Sequence, residues 1–334
     1  MSARPVDRPV VVWLLTLWAL VAAMLVVGGI TRLTGSGLSM VDWRPLMGAL
    51  PPMTHGEWLD VFARYQASPQ YEQVNSWMTL QDFQRIFAWE YVHRLLGRGL
   101  GLVFALPFLG FLVTGKLAGA WGRVGIAFLL GAGQGLMGWY MVRSGLVDIP
   151  EVSHFRLAAH LGLAFLAGSW LLWTALSLAM PEPSDGDRRL FRLGWIGLGL
   201  VAIQVVWGAF MAGKRAGLVA DTWPRMHGRW VPEAVTQATD LLAVLASDPA
   251  GIHFAHRTFA WVVVAVGVAW GVALVRRGGA PRRPGAVVLV VLGAQFVLGV
   301  ATVVLHVPIG VAVIHQLGGY LLVSAWLIAL HALR

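Results

Sequence analysis

The sequence predicts an all-α integral membrane protein of eight transmembrane helices arranged as two pseudo-symmetric four-helix bundles. Three observations predict it. Of the 334 residues, 57% are hydrophobic and only 12% charged, against about 25% charged in soluble domains. Apolar runs of the length a bilayer requires, roughly 20 residues, recur from one end of the chain to the other. A pattern of histidines in the first half returns in the second.

The predicted spans are 9–29, 89–114, 122–142, 156–180, 190–212, 253–275, 285–306 and 310–332. Met1 to Arg8 is short and basic and precedes a long apolar run without a small-residue cleavage site, which reads as a retained helix. Arginine and lysine set the orientation. With the N-terminus inside, the inner segments hold Arg4, Arg8, Lys116, Arg123, Arg188, Arg189, Arg192, Arg276, Arg277, Arg282, Arg283 and Arg334. Their acids are Asp7, Glu182, Asp185 and Asp187. The net charge of +9 therefore lies on one membrane face and does not form a nucleic-acid groove; lipid, not nucleic acid, is the expected surrounding. Both termini are expected on the cytoplasmic side of the cell inner membrane.

Cysteine is absent, which excludes disulfides, thiolate metal sites and cysteine nucleophiles. The 17 tryptophans fit interfacial aromatic belts. The inner loops are short. Two outer segments, about 30–88 and 213–252, are long, and long loops are often functional. Within the first, 56–87 is polar but carries Trp58, Phe62, Trp77 and Phe83, the composition of an amphipathic lid on the membrane surface.

An internal repeat divides the chain into 1–183 and 184–334. The second span reads Glu90-Tyr91-Val92-His93-Arg94 and the sixth His253-Phe254-Ala255-His256-Arg257. The fourth carries His160-Leu161-Gly162 and the eighth His315-Gln316-Leu317-Gly318. The third, fifth and seventh spans share a Gln-x-x-x-Gly spacing, at Gln134 and Gly138, Gln204 and Gly208, and Gln295 and Gly299. Those glycines read as helix-packing positions. After the first and fifth spans the loops share a basic residue, Gly-Leu, then Asp, Trp and Pro.

His93, His160, His256 and His315 stand apart from the other histidines. All lie toward the outer end of even-numbered spans, at similar depth. Two histidines facing one another across a helical bundle are the axial ligand set of a haem iron. A zinc or copper site would gather three or four ligands locally, with acids or thiolates beside them. A lone intramembrane histidine makes a helix–helix hydrogen bond as readily as it ligates a metal; four at matched depth favour haem. His306 is a further candidate at the outer end of the seventh span, and His253 is placed to line the second pocket. His55, His154, His227 and His331 read as loop or helix-end residues. Haem carries two propionates, and Arg32, Arg94, Arg98 and Arg257 are candidate contacts, since guanidinium binds carboxylate bidentately.

The halves differ where Glu90 stands in place of His253. Glu90 shares a helix face with His93. A carboxylate at that depth is costly and usually functional. Beside a haem it can take a proton or stabilise a developing cation, and its structural alternative is a salt bridge to Arg94 or Arg98.

The segments GGITRLTGSGLSMVDWRPLMGALPP (28–52), EYVHRLLGR (90–98), QGLMGWYMVRSGL (134–146), HLGLA (160–164), HFAHR (253–257) and HQLGG (315–319) resemble the haem A synthases, in order and over nearly the whole chain. The resemblance implies an oxidoreductase that converts a methyl substituent of haem O into the formyl group of haem A, for terminal oxidases. It implies a substrate haem at His93 and His160, a haem b cofactor at His256 and His315, and a functional glutamate at Glu90. Haem O synthase and terminal oxidase assembly factors are the implied partners. Some bacterial members carry an outer-loop cysteine pair; this chain has none, so it is similar to the cysteine-free, mitochondrial-like branch. The competing readings are a di-haem b-type electron-transfer cytochrome and a transporter. A transporter would gather polar groups at the midplane, whereas the ionisable groups here gather at the outer edge.

Overall fold

The computed structural model describes residues 8–42, 50–117, 119–146, 150–180 and 186–334. The inner charges Arg4, Asp7, Glu182 and Asp185, the division at 183, and 43–49 of the first outer loop lie outside them. Every regular element among the described residues is helical. Eight helices are long and apolar enough to cross a membrane: α1 (Arg8–Leu33), α3 (Leu80–Val113), α4 (Trp121–Arg143), α5 (His154–Ala179), α6 (Arg188–Gly213), α9 (Pro249–Arg277), α10 (Arg282–Val304) and α11 (Ile309–His331). The short helices α2 (His55–Gln66), α7 (Glu233–Thr236) and α8 (Leu241–Ser247) lie in the two long connections.

α1, α3, α4 and α5 pack in a ring, each on the next, and α6, α9, α10 and α11 do the same in the same order. The rings meet through α1, α5, α6 and α11. Apolar packing alone cannot drive helices together in lipid, so close backbone approach and interhelical hydrogen bonds carry the joint. Gln316 on α11 donates to the Leu25 carbonyl of α1 (2.7 Å), the Tyr320 hydroxyl to that of Trp18 (3.1 Å), and the Trp18 indole to Ser324 Oγ (3.2 Å). Across α6 and α11 the Trp326 indole donates to the Gly194 carbonyl (2.8 Å). Trp326 also stacks on Trp270 of α9 at 4.6 Å between ring centroids.

The second membrane helix begins at Leu80, nine residues before the sequence reading placed it. Thr79 caps it through a reciprocal capping box with Asp82, which satisfies orphan amides at the helix start. The added turns stand beyond the apolar span and support α2. Trp58, Phe62 and Tyr65 from that helix pack on Phe83 and Phe87 of α3, with ring centroids of Phe62–Phe83 at 5.1 Å and Trp58–Phe87 at 5.1 Å. The expected surface lid over 56–87 is thus α2, a π-helical turn at Tyr71–Asn75 and the start of α3 around their own aromatic core, with Trp77 turned outward.

Candidate functional site: four histidines seated on glycines

Each of the four histidines rests against a glycine of the neighbouring helix in its ring. A Cβ at Gly28 of α1 would lie 3.1 Å from His93 Cε1, and one at Gly138 of α4 3.1 Å from His160 Cε1. At Gly208 of α6 the distance to His256 Cε1 is 3.3 Å, and at Gly299 of α10 that to His315 Cε1 is 3.0 Å. Any larger residue would push the imidazole out of place. The glycines read from sequence as helix-packing positions are therefore seats for the imidazoles. Gly28 was missed, although it falls in the same register one span earlier.

Three seats carry a glutamine one turn before the glycine. Gln204 Nε2 donates to the His256 carbonyl (2.9 Å) and lies 3.2 Å from its Nδ1. Gln295 Nε2 donates to the His315 carbonyl (2.9 Å). Gln134 Nε2 is 3.5 Å from His160 Nε2. The fourth seat carries Met24 in that place, so His93 alone has no amide beside it.

His256 and His315 face each other with ring centroids 6.5 Å apart and planes at 89°. Two metal–imidazole bonds of about 2 Å, with each ring centre about 1 Å behind its nitrogen, span roughly 6 Å. The separation of the pair matches that of two imidazoles on one iron. His93 and His160 lie within electrostatic range of each other. Nδ1 of His93, His160 and His315 is buried without a hydrogen-bond partner. No group of three or more His, Cys, Asp or Glu able to hold a metal ion occurs among the described residues; a porphyrin, which supplies its own equatorial nitrogens, needs only a pair.

Glu90 is buried beside the first pair, at 3% relative exposure. Its Oε1 accepts from Arg94 Nη2 (2.6 Å), and its Oε2 from the Ser39 hydroxyl (2.7 Å) and the Met40 amide (2.7 Å). Arg94 also donates to the carbonyls of Met40 (2.8 Å) and Asp42 (3.1 Å). Carboxylate and guanidinium together fasten the first outer loop over His93. Ser39 and Met40 lie within the segment that carries the resemblance, but their contact with Glu90 was not legible, because it is set by where the loop returns.

In the other ring, Arg257 Nη2 donates to the Thr222 carbonyl (2.8 Å) and holds the loop after α6 in the matching place. Arg257 Nη1 is buried without a partner. Trp223 of that loop stacks on Trp261 (6.0 Å), which in turn packs on Phe296 (4.9 Å). His253, in the position of Glu90, is buried with neither ring nitrogen hydrogen-bonded.

The remaining candidates are scattered. Arg32 donates Nη2 to the carbonyls of Ala212 (2.6 Å) and Gly213 (3.1 Å), so it closes the end of α6 and joins the two rings. Arg98 lies one turn beyond Arg94, half-buried. His306 and His227 both meet the carboxylate of Asp221, at 2.9 and 3.4 Å, in the exposed outer loop and away from the facing pair. The Asp221 backbone amide, then the two imidazoles, hold that carboxyl below its usual range. His154 contacts the Ala246 carbonyl (2.9 Å) and His331 packs on Trp173.

The profile of the COX15-CtaA family, described as cytochrome oxidase assembly protein, matches residues 11–327. A protein named Heme A synthase from Nitrosospira multiformis is 43% identical over 98% of this chain and 94% of its own length. The Paramagnetospirillum magneticum protein of that name is 42% identical over 99% and 95%, and the one from Flavobacterium psychrophilum 37% over 97% and 98%. With eight membrane-crossing helices and a profile match over nearly its whole length, the chain belongs to the COX15-CtaA family of cytochrome oxidase assembly proteins.

Proposed function

We propose that this chain is a haem A synthase: an oxidoreductase that converts a methyl group of haem O into the formyl group of haem A. The observation that carries the reading is the difference between two otherwise matched histidine pairs. Among the described residues, only the pair His93 and His160 has a buried carboxylate, Glu90, beside it. The names of full-length relatives support the same activity.

In this reading haem O binds in the ring of α1, α3, α4 and α5 between His93 and His160. Each round takes two electrons from a ring methyl to an external electron acceptor and releases one proton, leaving a cation-like carbon that water attacks with loss of a second proton. A second such round gives an aldehyde hydrate, which loses water to become the formyl group. Both oxygens of Glu90 already accept hydrogen bonds, so we assign it a fixed negative charge facing the developing cation, more than a mobile proton acceptor.

The ring of α6, α9, α10 and α11 is assigned a resident haem b between His256 and His315. That group, when bound, supplies one-electron transfer. Gln204 and Gln295 would hold the ligating helices through the His256 and His315 carbonyls, and Arg257, whose buried Nη1 has no partner, would hold a propionate. We read the two rings as a duplication, divided at 183/184. From the charge distribution we assign both termini to the cytoplasm and the histidine end to the outer face of the cell inner membrane. Haem O synthase and terminal oxidase assembly factors are the expected partners.

The test is purification with and without a haem O source, followed by chromatography of the extracted pigments. Haem A appearing only with haem O, beside constant haem b, supports the reading. Haem b alone, with haem O returned unchanged, would make the protein a di-haem electron-transfer cytochrome.

A further inference from the structure

The two rings differ at one seam. With the Gln-x-x-x-Gly spacing as register, Gly131 and Gly135 of α4 stand where α10 has Leu292 and Phe296. With the histidines as register, Gly97 and Gly101 of α3 stand where α9 has Ala260 and Val264. At all four places the first ring has the smaller residue.

In the second ring the seam is filled. Leu292 is 3% exposed, and its Cδ2 would lie 2.6 Å from a Cβ at Gly267. Phe296 packs on Trp261, and both meet Trp223. In the first ring, a Cβ at Gly101, Gly131 or Gly135 meets nothing within 4 Å, and one at Gly97 only Met24 Cε at 3.9 Å. Gly97, Gly101, Phe104 and Phe108 form one stripe of α3, and Phe128, Gly131 and Gly135 one stripe of α4, by helical spacing. The stripes meet toward the end away from the histidines, where Phe104 and Phe108 meet Phe128 at 5.9 and 6.5 Å. Between that aromatic floor and the first histidine pair, no atom of the facing helix lies within 4 Å of a Cβ at any of the four glycines, and α3 and α4 pack far less closely than α9 and α10. The imidazole of His93, whose buried Nδ1 has no partner, lies one turn above Gly97.

We propose that this slot between α3 and α4 is where the isoprenoid chain of haem O leaves the bundle for the lipid. The inference rests on the haem O reading above. Haem O and haem b differ chiefly in that chain, and the ring assigned to haem b is the one whose seam is filled. A hydrocarbon chain gains little by moving from lipid into a groove of apolar side chains. The slot therefore acts by shape: it lets the macrocycle reach the histidines while the chain stays in the bilayer, and it admits the substrate sideways. A sealed seam would force the chain to be folded into the bundle core.

The test transplants the second ring's residues. Full-length protein carrying Gly131→Leu with Gly135→Phe, retaining its resident haem, is titrated optically with haem O and, separately, with haem b. These side chains already fit a helix of this protein at the matching places. Overfilling such a site costs enough to weaken haem O binding about tenfold or more, while haem b binding at the first site stays within about twofold. Haem O binding equal to wild type overturns the proposal. Equal loss of both haems also overturns it, because the slot would then belong to the macrocycle pocket. If the double variant loses its resident haem, Gly131→Ala and Gly135→Ala singly replace it, with a smaller selective loss expected and no loss overturning the idea. Failure of wild type to make haem A while it binds haem O would sink the synthase reading and leave the slot standing.

Discussion

The two four-helix rings seat their histidines in the same way and differ at a few places around them. In the ring of α6, α9, α10 and α11, both imidazoles have a glutamine on the adjoining helix, the seam between α9 and α10 is packed, and Trp223 covers the outer end. In the ring of α1, α3, α4 and α5, His93 has Met24 where a glutamine would stand, the α3–α4 seam is open, and a buried Glu90–Arg94 pair holds the loop above. A group that stays bound wants rigid ligands and a closed pocket. A substrate that must arrive, react and leave wants an entrance and a charge placed for the reaction. On the proposed reading, the difference teaches how one helical scaffold would serve both purposes by changes at a handful of positions.

Removing a ligand on each side is the most forceful way to break the comparison. His256→Ala or His315→Ala is expected to abolish the resident low-spin b-type spectrum, whereas His93→Ala keeps that spectrum and abolishes haem A formation. Visible spectra and pigment chromatography on the same preparations read both. Loss of the resident haem from His93→Ala would erase the division of labour.

Glu90→Gln tests the charge. It keeps the shape and an acceptor oxygen but removes the anion facing Arg94, and loss of one partner of a buried pair costs about 3–5 kcal/mol. A fall in haem A formation of about 10²–10³ is expected with an unchanged resident spectrum. Full activity together with lowered thermal stability would reduce Glu90 to an anchor of the outer loop.

Gly299→Ala tests the seats. The new methyl would sit 3.0 Å from His315 Cε1, and overpacking of this kind costs about 1–3 kcal/mol. The expected readout is a changed axial geometry in the electron paramagnetic resonance of the resident haem, with Gly208→Ala giving a smaller change because its gap is 3.3 Å.

Met24→Gln sharpens the comparison by making the first ring more like the second. An amide beside His93 should tighten haem O binding by up to about tenfold, the lower end of what groups behind a metal ligand contribute, and slow product release. An optical titration that matches wild type would show that Met24 is only a spacer.

Much of this was legible in the chain. The eight apolar runs mark the membrane helices because a bilayer core accepts little else. The histidines could be singled out because a costly residue that recurs at one depth calls for a reason. The start of α3 was misread because Gln81, Asp82, Gln84 and Arg85 are polar, yet Thr79 and Asp82 form a readable capping signal. Gly28 and Met24 do not stand out in the sequence, because glutamine marks the other three seats and the first span has none. The part played by Arg32 was not legible at all: a basic residue at a helix end fits a propionate, a lipid headgroup or, as it proves, the carbonyl end of α6 equally well.

The sequence by itself determined that the chain crosses the membrane, how many times, and which residues are candidates to hold iron, since those follow from length, polarity and ligand chemistry along one strand of covalent order. Only the tertiary structure decided which glycine carries which imidazole, that Glu90 is tied to Ser39, Met40 and Arg94, and that one seam is open while its counterpart is filled. Those are relations between helices far apart in the chain. Small residues look alike in a sequence whether a neighbour fills the space beside them or leaves it empty.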